Sequence, residues 1–377
     1  MEIYLVGGAI RDRLLGLDAV ERDWVVVGAS PADMLKLGYK QVGKDFPVFL
    51  HPESGEEYAL ARSERKVGPG YTGFEVHTGP DVSLEQDLKR RDLTINAIAE
   101  AADGRIIDPW HGQQDLRQGL LRHISPAFAE DPVRILRVAR LAARFGKWGF
   151  HVAHKTNALM REMVRNGEVN HLVPERLCAE LIKALKTDQP QRFFAVLRGC
   201  GALAVLFPEV ERSLHSDVET HSNQTPGPAL AALRYAAISS NDPRIRFAAL
   251  MRALSPDLDQ AARLAAVRQL CARHKLPNEY RQLAELTIKL EAGIGSDQAE
   301  TRLEQLEVAD AFRNPQRWSL LLDCFQACGL LDTQQRQQWQ ADFQRTRSVE
   351  SGPLLEQGFK GKQLGEEIRR QRLLKLS

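Results

Sequence analysis

The stretch Ile3-Tyr-Leu-Val-Gly-Gly-Ala-Ile-Arg-Asp12 decides the fold of the first part of the chain. Its first four residues favour a β-strand, and the residues from Ala9 onward favour a helix. Gly7 and Gly8 lie between them, where the N-terminus of a helix points backbone N–H groups outward. Such a turn is either a plain tight turn or a phosphate site, and Arg11 one turn further on favours phosphate.

Short strand-like runs alternate with helical stretches up to about Arg122. Five of these runs are predicted strands, at residues 3–6, 24–27, 48–50, 58–61 and 105–107. After Pro126 the apolar residues recur at helical spacing nearly to the end, and strand-like runs are absent. We therefore predict an α/β part followed by an all-α part.

Bulk composition excludes several classes of protein. With 377 residues the chain is too long for one core, and its net charge of +2 indicates no particular partner. No apolar run reaches the roughly 18 residues that span a bilayer, so we expect no membrane segment. The five scattered cysteines and the charged start Met1-Glu2, which has no apolar secretory segment, predict a cytoplasmic protein. Cys324 and Cys328, at i and i+4, are predicted to be core positions and not half of a metal site.

An acidic pair lies at the entrance to the second predicted strand. Glu21 and Asp23 are two residues apart, so in an extended segment both carboxylates face one side and can share divalent cations. That arrangement suits two-metal phosphoryl transfer, although such a pair is more often a solvated loop. Glu57 is a possible third ligand, with Glu56 and Glu64 as competitors.

Five motifs, in family order, resemble the bacterial class II CCA-adding enzymes and their relative, bacterial poly(A) polymerase. They are Leu5-Val-Gly-Gly-Ala-Ile-Arg-Asp12 with the acidic pair after it, Arg90-Arg-Asp-Leu-Thr-Ile-Asn-Ala97, Asp108-Pro-Trp-His-Gly-Gln-Gln-Asp-Leu116, Glu130-Asp-Pro-Val-Arg-Ile-Leu-Arg137, and Val173-Pro-Glu-Arg176 with Glu180 behind it. The fifth motif resembles the one that supports the base-selecting helix. The resemblance implies a polymerase-β-like nucleotidyltransferase head at residues 1–122. It also implies an all-α neck at 123–225 that selects the base and binds RNA, and an all-α body and tail at 226–377 that bind tRNA. Loss of periodicity over residues 213–228 independently predicts a connection near residue 225.

The resemblance also assigns roles in the head. Glu21 and Asp23 are the implied catalytic residues and ligands of Mg²⁺. Gly8, Arg11 and Arg91 are implied to bind the nucleotide.

Two further head residues, Asp92 and Asn96, match the motif that recognises ribose. They are implied to recognise the 2′-hydroxyl, although a helix cap and a buried structural amide would explain them equally well.

The fourth motif opens a helix with a row of arginines. Asp131-Pro132 is a suitable helix start, and Arg134, Arg137, Arg140 and Arg144 then recur on one face. Without the other motifs, this row would be interpreted as a solvated basic face of the helix. By resemblance it is a wall for the nucleotide: Asp131 and Arg134 hydrogen-bond the incoming base in place of a template, with Arg137 and Arg140 beside them.

The chain departs from the family pattern at two places. Glu21 replaces the usual aspartate, and a shift near 1 Å can cost about a hundredfold in rate. Many relatives also carry an adjacent His-Asp pair in the C-terminal half, marking a metal-dependent phosphohydrolase. This chain has Arg252-Ala253 in that context and no adjacent His-Asp. We predict a degenerate region without phosphohydrolase activity.

The function implied is addition and repair of the 3′-terminal CCA of tRNA from CTP and ATP. The basic tail at residues 359–377 suits contacts with tRNA phosphates. Two alternatives stay open: a poly(A) polymerase or an enzyme that adds only part of CCA, and a catalytically decayed tRNA-binding protein.

Overall fold

The computed structural model describes residues 1–18, 22–42, 48–66, 74–214, 227–254 and 258–377, and only the backbone at residues 64–66 and 74–76. Glu21 lies outside the described residues. The predicted boundary near residue 225 lies outside them as well. Of the predicted acidic pair, the described residues therefore include Asp23.

Eleven strands occur in the described residues, most of them in the first third of the chain. They are β1 (Glu2–Val6), β2 (Asp23–Val27), β3 (Lys40–Val42), β4 (Val48–Leu50), β5 (Glu57–Leu60), β6 (Arg62–Lys66), β7 (Phe74–Thr78), β8 (Ala99–Ala101), β9 (Ile106–Ile107), β10 (Leu120–Leu121) and β11 (His151–Val152). All five predicted strands are present, and the other six, β3, β6, β7, β8, β10 and β11, were not predicted.

A seven-stranded sheet with the order β3-β4-β5-β2-β1-β8-β9 organises the head. Within it β2 and β5 run parallel, and the other neighbouring pairs run antiparallel. Strand β2 is apolar at consecutive positions because both faces of the sheet are covered. Val25 packs in the cluster with Tyr4 and Val6 on one face, and Val26 packs with Phe49 on the other.

Nineteen helices account for most of the rest of the described chain. They are α1 (Gly8–Leu14), α2 (Pro31–Lys36), α3 (Leu84–Lys89), α4 (Gly112–Gln118), α5 (Val133–Arg144), α6 (His154–Arg165), α7 (Pro174–Leu185), α8 (Gln191–Cys200), α9 (Ala202–Leu206), α10 (Pro208–Ser213), α11 (Pro228–Ser239), α12 (Pro243–Arg252), α13 (Gln260–Arg273), α14 (Asn278–Leu290), α15 (Ala299–Val308), α16 (Pro315–Ala327), α17 (Thr333–Arg347), α18 (Gly352–Glu356) and α19 (Gly361–Leu376).

The predicted fold class, an α/β head followed by helices, is confirmed, with one exception in the helical part. Strand β11 lies beyond Pro126 and pairs in parallel with β10. Two residues are too few to show an alternating pattern, so this pairing leaves no trace in the periodicity.

The described chain forms two compact units. The first contains Met1–Glu180 and Arg192–Leu206, and the second contains Leu181–Gln191 and Phe207–Ser377. The division into head, neck and body at residues 122 and 225 stays a prediction.

Within the second unit a buried arginine fastens the segment 181–191. Arg246 on α12 is 1% exposed, and its guanidinium donates hydrogen bonds to the carbonyl oxygens of Leu185, Thr187, Ala237 and Ser240 at 2.6–3.0 Å. A buried guanidinium is tolerated when carbonyl acceptors surround its donors. Arg246 is therefore a structural residue.

The cysteines and the helix lengths can be compared with what the composition predicted. All five cysteines are free thiols, and Cys324 is fully buried with its sulfur 3.3 Å from the Thr287 hydroxyl, as a core position requires. Among the helices of the described residues, none combines the length and apolarity of a membrane span.

Candidate active site

The turn between β1 and α1 is built around a glycine that no other residue can replace without strain. Gly7 has φ of 75°, and its N–H donates to the Ile98 carbonyl at 3.1 Å. A Cβ placed on Gly7 would lie 3.0 Å from Arg91 Nη1 and 4.0 Å from Asp23 Oδ2. The turn therefore brings the backbone close to a cation on one side and to a carboxylate on the other.

Asp23 is the described member of the acidic pair, and it is exposed at the first position of β2. It is the register partner of Glu57 on the parallel strand β5. Partners in register point to the same face of a sheet, so these two carboxylates lie on one face, at the edge beside Gly7. Neither makes a hydrogen bond or ion pair to another described residue.

Glu56, which competes with Glu57 as the third metal ligand, already has partners within the protein. Glu56 accepts a hydrogen bond from Trp24 Nε1 at 3.0 Å and lies 3.7 Å from Arg22 Nη1. This leaves Glu57 as the better candidate for a third carboxylate beside Asp23. The side chain of Glu64 lies outside the described part of the chain.

Two oxygen-rich side chains on one face suit a hard divalent cation. No group of three or more His, Cys, Asp or Glu side chains is assembled among the described residues, and Glu21 lies outside them. The structure thus fits two carboxylates of a metal site.

Arg91 is held in place by a buried aspartate on α3. Asp87 is fully buried and accepts hydrogen bonds from Arg91 Nη2 at 3.1 Å and from Arg90 Nη2 at 3.0 Å. Burial alone would raise the pKa of Asp87, but the charges of Arg91 and Arg90 reverse the effect and lower it. The anchored Arg91 presents Nη1 to the Gly7 turn.

Asp92 joins the head to α5. Its Oδ2 accepts a hydrogen bond from Arg137 Nε at 2.6 Å, and its Oδ1 accepts one from Asn96 Nδ2 at 2.9 Å and one from the Leu93 N–H at 2.8 Å. Asn96 Oδ1 in turn accepts from Arg11 Nη1 at 2.5 Å. The structure therefore assembles four residues of three different motifs into one hydrogen-bonded chain.

The charges and hydrogen bonds of these four side chains keep Asp92 ionised. Burial alone would raise the pKa of Asp92, but the Arg137 charge and the hydrogen bond from Asn96 hold it well below its usual range. The same carboxylate raises the pKa of Arg137. Because both groups stay charged, the contact is an ion pair across the physiological pH range.

Arg11 lies inside the head and faces internal partners. It is 5% exposed, its Nε donates to Asp12 at 2.8 Å, and its guanidinium lies over the Phe145 ring at 5.0 Å. Burial lowers the pKa of Arg11, and Asp12 opposes that change. Arg144 Nη2 donates to the other oxygen of Asp12 at 2.8 Å. These contacts favour a bracing role beside Gly8, and the phosphate contact of Arg11 stays a prediction.

Helix α5 begins as the sequence predicts. The Asp131 carboxylate accepts the Val133 N–H at 3.0 Å, and Pro132 has helical dihedral angles. Arg176 on α7 donates to both oxygens of Asp131, at 3.3 Å and 2.9 Å. Arg134 is 8% exposed and donates to the carbonyl oxygens of Ala127 and Arg90.

The arginine row of α5 is therefore not a solvated stripe. Arg137 contacts Asp92, Arg140 Nε donates to Glu180 at 2.5 Å, and Arg144 contacts Asp12. Through this row, α5 is joined to the head on one side and to α7 on the other. The row lines the face of α5 that carries the base-selecting candidates.

Sequence reasoning gave Asp12 and Asp87 no role of their own. Both are buried acceptors for arginines of the site. A signal for Asp87 was present: it precedes Arg91 by four residues in a helix that Ser83 and Gln86 begin with a capping box. Asp12 follows Arg11 directly, and its partner Arg144 is distant in sequence.

At the place of the missing His-Asp pair, Arg252 and Arg263 share the carboxylate of Glu291. Arg263 also donates to the Arg252 carbonyl at 2.8 Å. Two guanidinium groups at this place would repel the metal cation that a phosphohydrolase needs. The prediction that this region lacks phosphohydrolase activity stands untested.

Comparisons with known proteins agree with this architecture. Residues 3–122 match the model of the poly A polymerase head domain, and residues 149–214 match that of a probable RNA and SrmB-binding site of polymerase A. The crystal structure of the Bacillus stearothermophilus CCA-adding enzyme in complex with CTP has a TM-score of 0.66 at 24% identity, covering 98% of this chain and 87% of that one. The Thermotoga maritima CCA-adding enzyme complexed with tRNA has a TM-score of 0.63 at 22% identity, covering 100% and 87%. At these identities the likeness shows the fold alone.

Sequence relatives are much closer. The multifunctional CCA protein of Nitrosococcus oceani is 48% identical over 402 aligned residues, covering 99% of this chain and 97% of that protein. The multifunctional CCA protein of Thioalkalivibrio sulfidiphilus is 49% identical over 403 residues, again covering 99% and 97%. With nearly half of its residues shared along almost the full length of both chains, this chain belongs to the family of the multifunctional CCA proteins.

Proposed function

We propose that this chain is a tRNA nucleotidyltransferase that adds and repairs the 3′-terminal CCA of tRNA. It joins two C residues and one A residue in turn, from CTP and ATP, and each addition releases pyrophosphate. The observation that carries the proposal is the near-complete match to two multifunctional CCA proteins, together with a head that gathers Asp23, Gly7 and Arg91 at one edge of its sheet. A tRNA substrate places the reaction in the cytoplasm.

In each addition the 3′-hydroxyl of the RNA attacks the α-phosphorus of the nucleoside triphosphate. The new bond joins that oxygen to phosphorus, the bond between the α-phosphorus and the bridging oxygen breaks so that pyrophosphate leaves with the electron pair, and the hydroxyl proton passes to water. Arg91 lies where its free edge can meet the triphosphate beside the Gly7 and Gly8 turn. Asp87 fixes its direction, so little ordering of Arg91 is needed when the nucleotide binds.

Mg²⁺ is the proposed cation, because carboxylate oxygens are suitable ligands for a hard divalent ion. Asp23 and Glu57 would hold it, with Glu21 from the same segment. A bound divalent cation supplies Lewis acidity, which favours an ionised 3′-hydroxyl and stabilises the departing pyrophosphate. The protein contributes the fixed pair of carboxylates in register on β2 and β5.

Base selection is assigned to the start of α5. Cytosine and adenine each present an exocyclic amine and a ring nitrogen acceptor, so a carboxylate and a guanidinium can read both. Asp131 is oriented by Arg176 and by the helix end, and Arg134 is oriented by two carbonyl oxygens. Arg137 and Arg140 extend the wall, each paired with one carboxylate.

Ribose recognition is assigned to Asp92 and Asn96. Both belong to the hydrogen-bonded chain that also holds Arg137 and Arg11. A 2′-hydroxyl would meet groups whose directions are already set.

The test is nucleotide incorporation into a tRNA transcript that lacks its CCA end. CTP alone should add two residues, CTP with ATP should add three, and ATP alone should add none to that transcript. Asp23→Ala should reduce the rate roughly a thousandfold, which is about 4 kcal/mol of transition-state stabilisation, and should leave tRNA binding intact. Asp103→Ala is the matched control, because Asp103 is an exposed turn residue of the same head.

Each competing function has its own signature in this assay. Long runs of A from ATP alone would identify a poly(A) polymerase, and products that stop after C or require a preformed CC end would identify a partial enzyme. Equal background for the wild type and Asp23→Ala, with tight tRNA binding, would identify a decayed binding protein.

A further inference from the structure

A cavity in the second unit lies at the place of the missing His-Asp pair. Its volume is about 540 Å³. Its described lining consists of three charged residues, Arg252, Arg263 and Glu291, and four apolar ones, Pro228, Ala232, Ala253 and Leu330. Sites for small molecules are commonly cavities of roughly 300–1,000 Å³ with apolar walls and a few polar groups. The size and the lining of this cavity therefore suit a small organic ligand.

The charges that line the cavity do not cancel. Two guanidinium groups share one carboxylate: Arg252 Nη1 donates to Glu291 Oε2 at 3.3 Å, and Arg263 Nη1 donates to Oε1 of the same residue. This arrangement leaves one positive charge without a counterion among the described lining residues. The cavity therefore favours an anion over a neutral molecule or a cation.

The hydrogen-bond donors of the two arginines also exceed their acceptors. Arg263 Nη2 donates to the Arg252 carbonyl at 2.8 Å, but the Nε atoms of both residues are buried and have no hydrogen-bond partner in the described part of the chain. Buried donors without acceptors leave the positive field unscreened. The pKa of the Cys328 thiol responds to this field: the hydrogen bond from Cys324 and the charge of Arg252 lower it, although burial opposes them.

A similar group of side chains in the same unit shows what the cavity adds. Arg268 and Arg281 share the carboxylate of Glu285, at 2.9 Å and 3.4 Å, but their side chains are 53% and 39% exposed. Water screens those charges. Arg252 and Arg263 are only 25% and 13% exposed and lie beside apolar walls, where an ionic contact is stronger.

We infer that this cavity binds a small organic anion of single charge, a carboxylate with an apolar body. The carboxylate would balance the second guanidinium and accept hydrogen bonds from the arginine side chains, whose planar geometry matches it. The apolar body would lie against Ala232 and Leu330. A phosphate dianion suits the cavity less well, because Glu291 already supplies one negative charge. The inference does not rest on the proposed function, since none of the lining residues is assigned to nucleotide addition.

Titration of the full chain with benzoate, followed by calorimetry at low salt, tests the inference. Benzamide has nearly the same shape without the charge, and it should bind at least about tenfold more weakly. Arg252→Gln should weaken benzoate binding by a similar factor, because it removes one charged donor. Arg268→Gln is the matched control: it removes one of the two arginines that share Glu285 and should leave the benzoate affinity unchanged.

Ala232→Phe is a second variant that leaves every charge in place. Ala232 lies on α11 and is part exposed, so a larger side chain can fill the cavity without entering the core. This variant should lose benzoate binding and keep a melting temperature within a few degrees of the wild type. It decides the question even if Arg252→Gln fails to fold.

Four results would overturn the inference. They are equal affinities for benzoate and benzamide, unchanged benzoate affinity in Ala232→Phe, binding of phenyl phosphate at least about tenfold tighter than that of benzoate, and release of benzoate by tRNA. The third would assign the cavity to a phosphate ester, and the fourth would assign its arginines to RNA. Nucleotide incorporation is measured separately, so failure of this inference leaves the proposed function standing.

Discussion

Arg137 Nε lies 2.6 Å from Asp92 Oδ2, although 45 residues separate them in the chain. This contact joins α5, the proposed base-selecting helix, to the residues of the head that we propose to recognise ribose. Asp92 is buried, and the Arg137 charge and the hydrogen bond from Asn96 keep it ionised. Folding and the proposed positioning of the substrate therefore involve the same ion pair.

Asp92→Asn should change the acid stability of the protein. The pKa of Asp92 is lowered by folding, so its stabilisation is present above the unfolded pKa near 4 and is lost as pH falls toward the folded value. In the variant this loss should be absent, and the melting temperature should fall less steeply between about pH 4 and pH 2. At pH 7 the variant should be less stable by about 2 kcal/mol, since Arg137 is part exposed. Parallel wild-type and variant curves by calorimetry would contradict this.

Gly7→Ala should damage activity more than stability. The strain of alanine at φ 75° and ψ −131° costs about 1–3 kcal/mol, and the added Cβ would lie against Arg91 and near Asp23. We expect kcat to fall about a hundredfold, because a small displacement of those groups is enough.

Gly16→Ala separates strain from displacement. Gly16 has φ of 71°, and a Cβ there would meet nothing within 4 Å. This variant should lose similar stability by thermal unfolding and keep its kcat. Equal kinetic losses in both variants would show that backbone strain alone explains the effect of Gly7→Ala.

Glu57→Gln should reduce kcat and raise the Mg²⁺ concentration needed for half-maximal rate. We expect at least roughly a tenfold effect, which is the size seen even for groups that only support a metal ligand. Glu56→Gln is the neighbouring control: Glu56 bonds Trp24, so its loss should cost less than about 1 kcal/mol of stability and leave the Mg²⁺ dependence alone. The readout is a magnesium titration of initial rates for both variants.

Asp131→Asn should relax the choice of nucleotide. Asparagine can still cap α5, but it loses the charge that pairs with Arg176, so we expect a loss of about 1 kcal/mol and a drop of only a few degrees in melting temperature. The amide replaces the carboxylate that would accept an exocyclic amine, and discrimination against UTP and GTP should fall by about 10- to 100-fold. Competition between labelled CTP and UTP measures it, and an unaltered ratio of kcat/KM values would remove Asp131 from base selection.

The parts of the head and of α5 that could be predicted from the sequence are those whose signals are local. The strands at residues 3–6 and 24–27, the glycine turn and the capped start of α5 each depend on neighbours in the chain. Motif order and resemblance then identified the family, although the roles of individual site residues stay predictions.

The partners of the arginines were beyond sequence reasoning. Arg144 to Asp12 spans 132 residues, and Arg140 to Glu180 spans 40, so no periodicity reveals them. Helical spacing placed the arginines on one face but left open whether that face meets water, substrate or protein. The short strands β10 and β11 were not predicted for the same reason, because each pairs with a segment about 30 residues away in the chain.

The hydrogen bonds from Arg246 to the carbonyl oxygens of residues 185 and 187 limit how this protein can be divided into fragments. Those residues belong to the second unit, yet residues 192–206, which follow them, belong to the first. No single truncation point yields both units whole: a fragment ending at residue 180 lacks α8 and α9, and one starting at residue 207 lacks two of the carbonyl acceptors of Arg246. Expression of separate halves should therefore give unstable fragments, and only co-expressed pieces that share the exchanged segments are suited to reassembly.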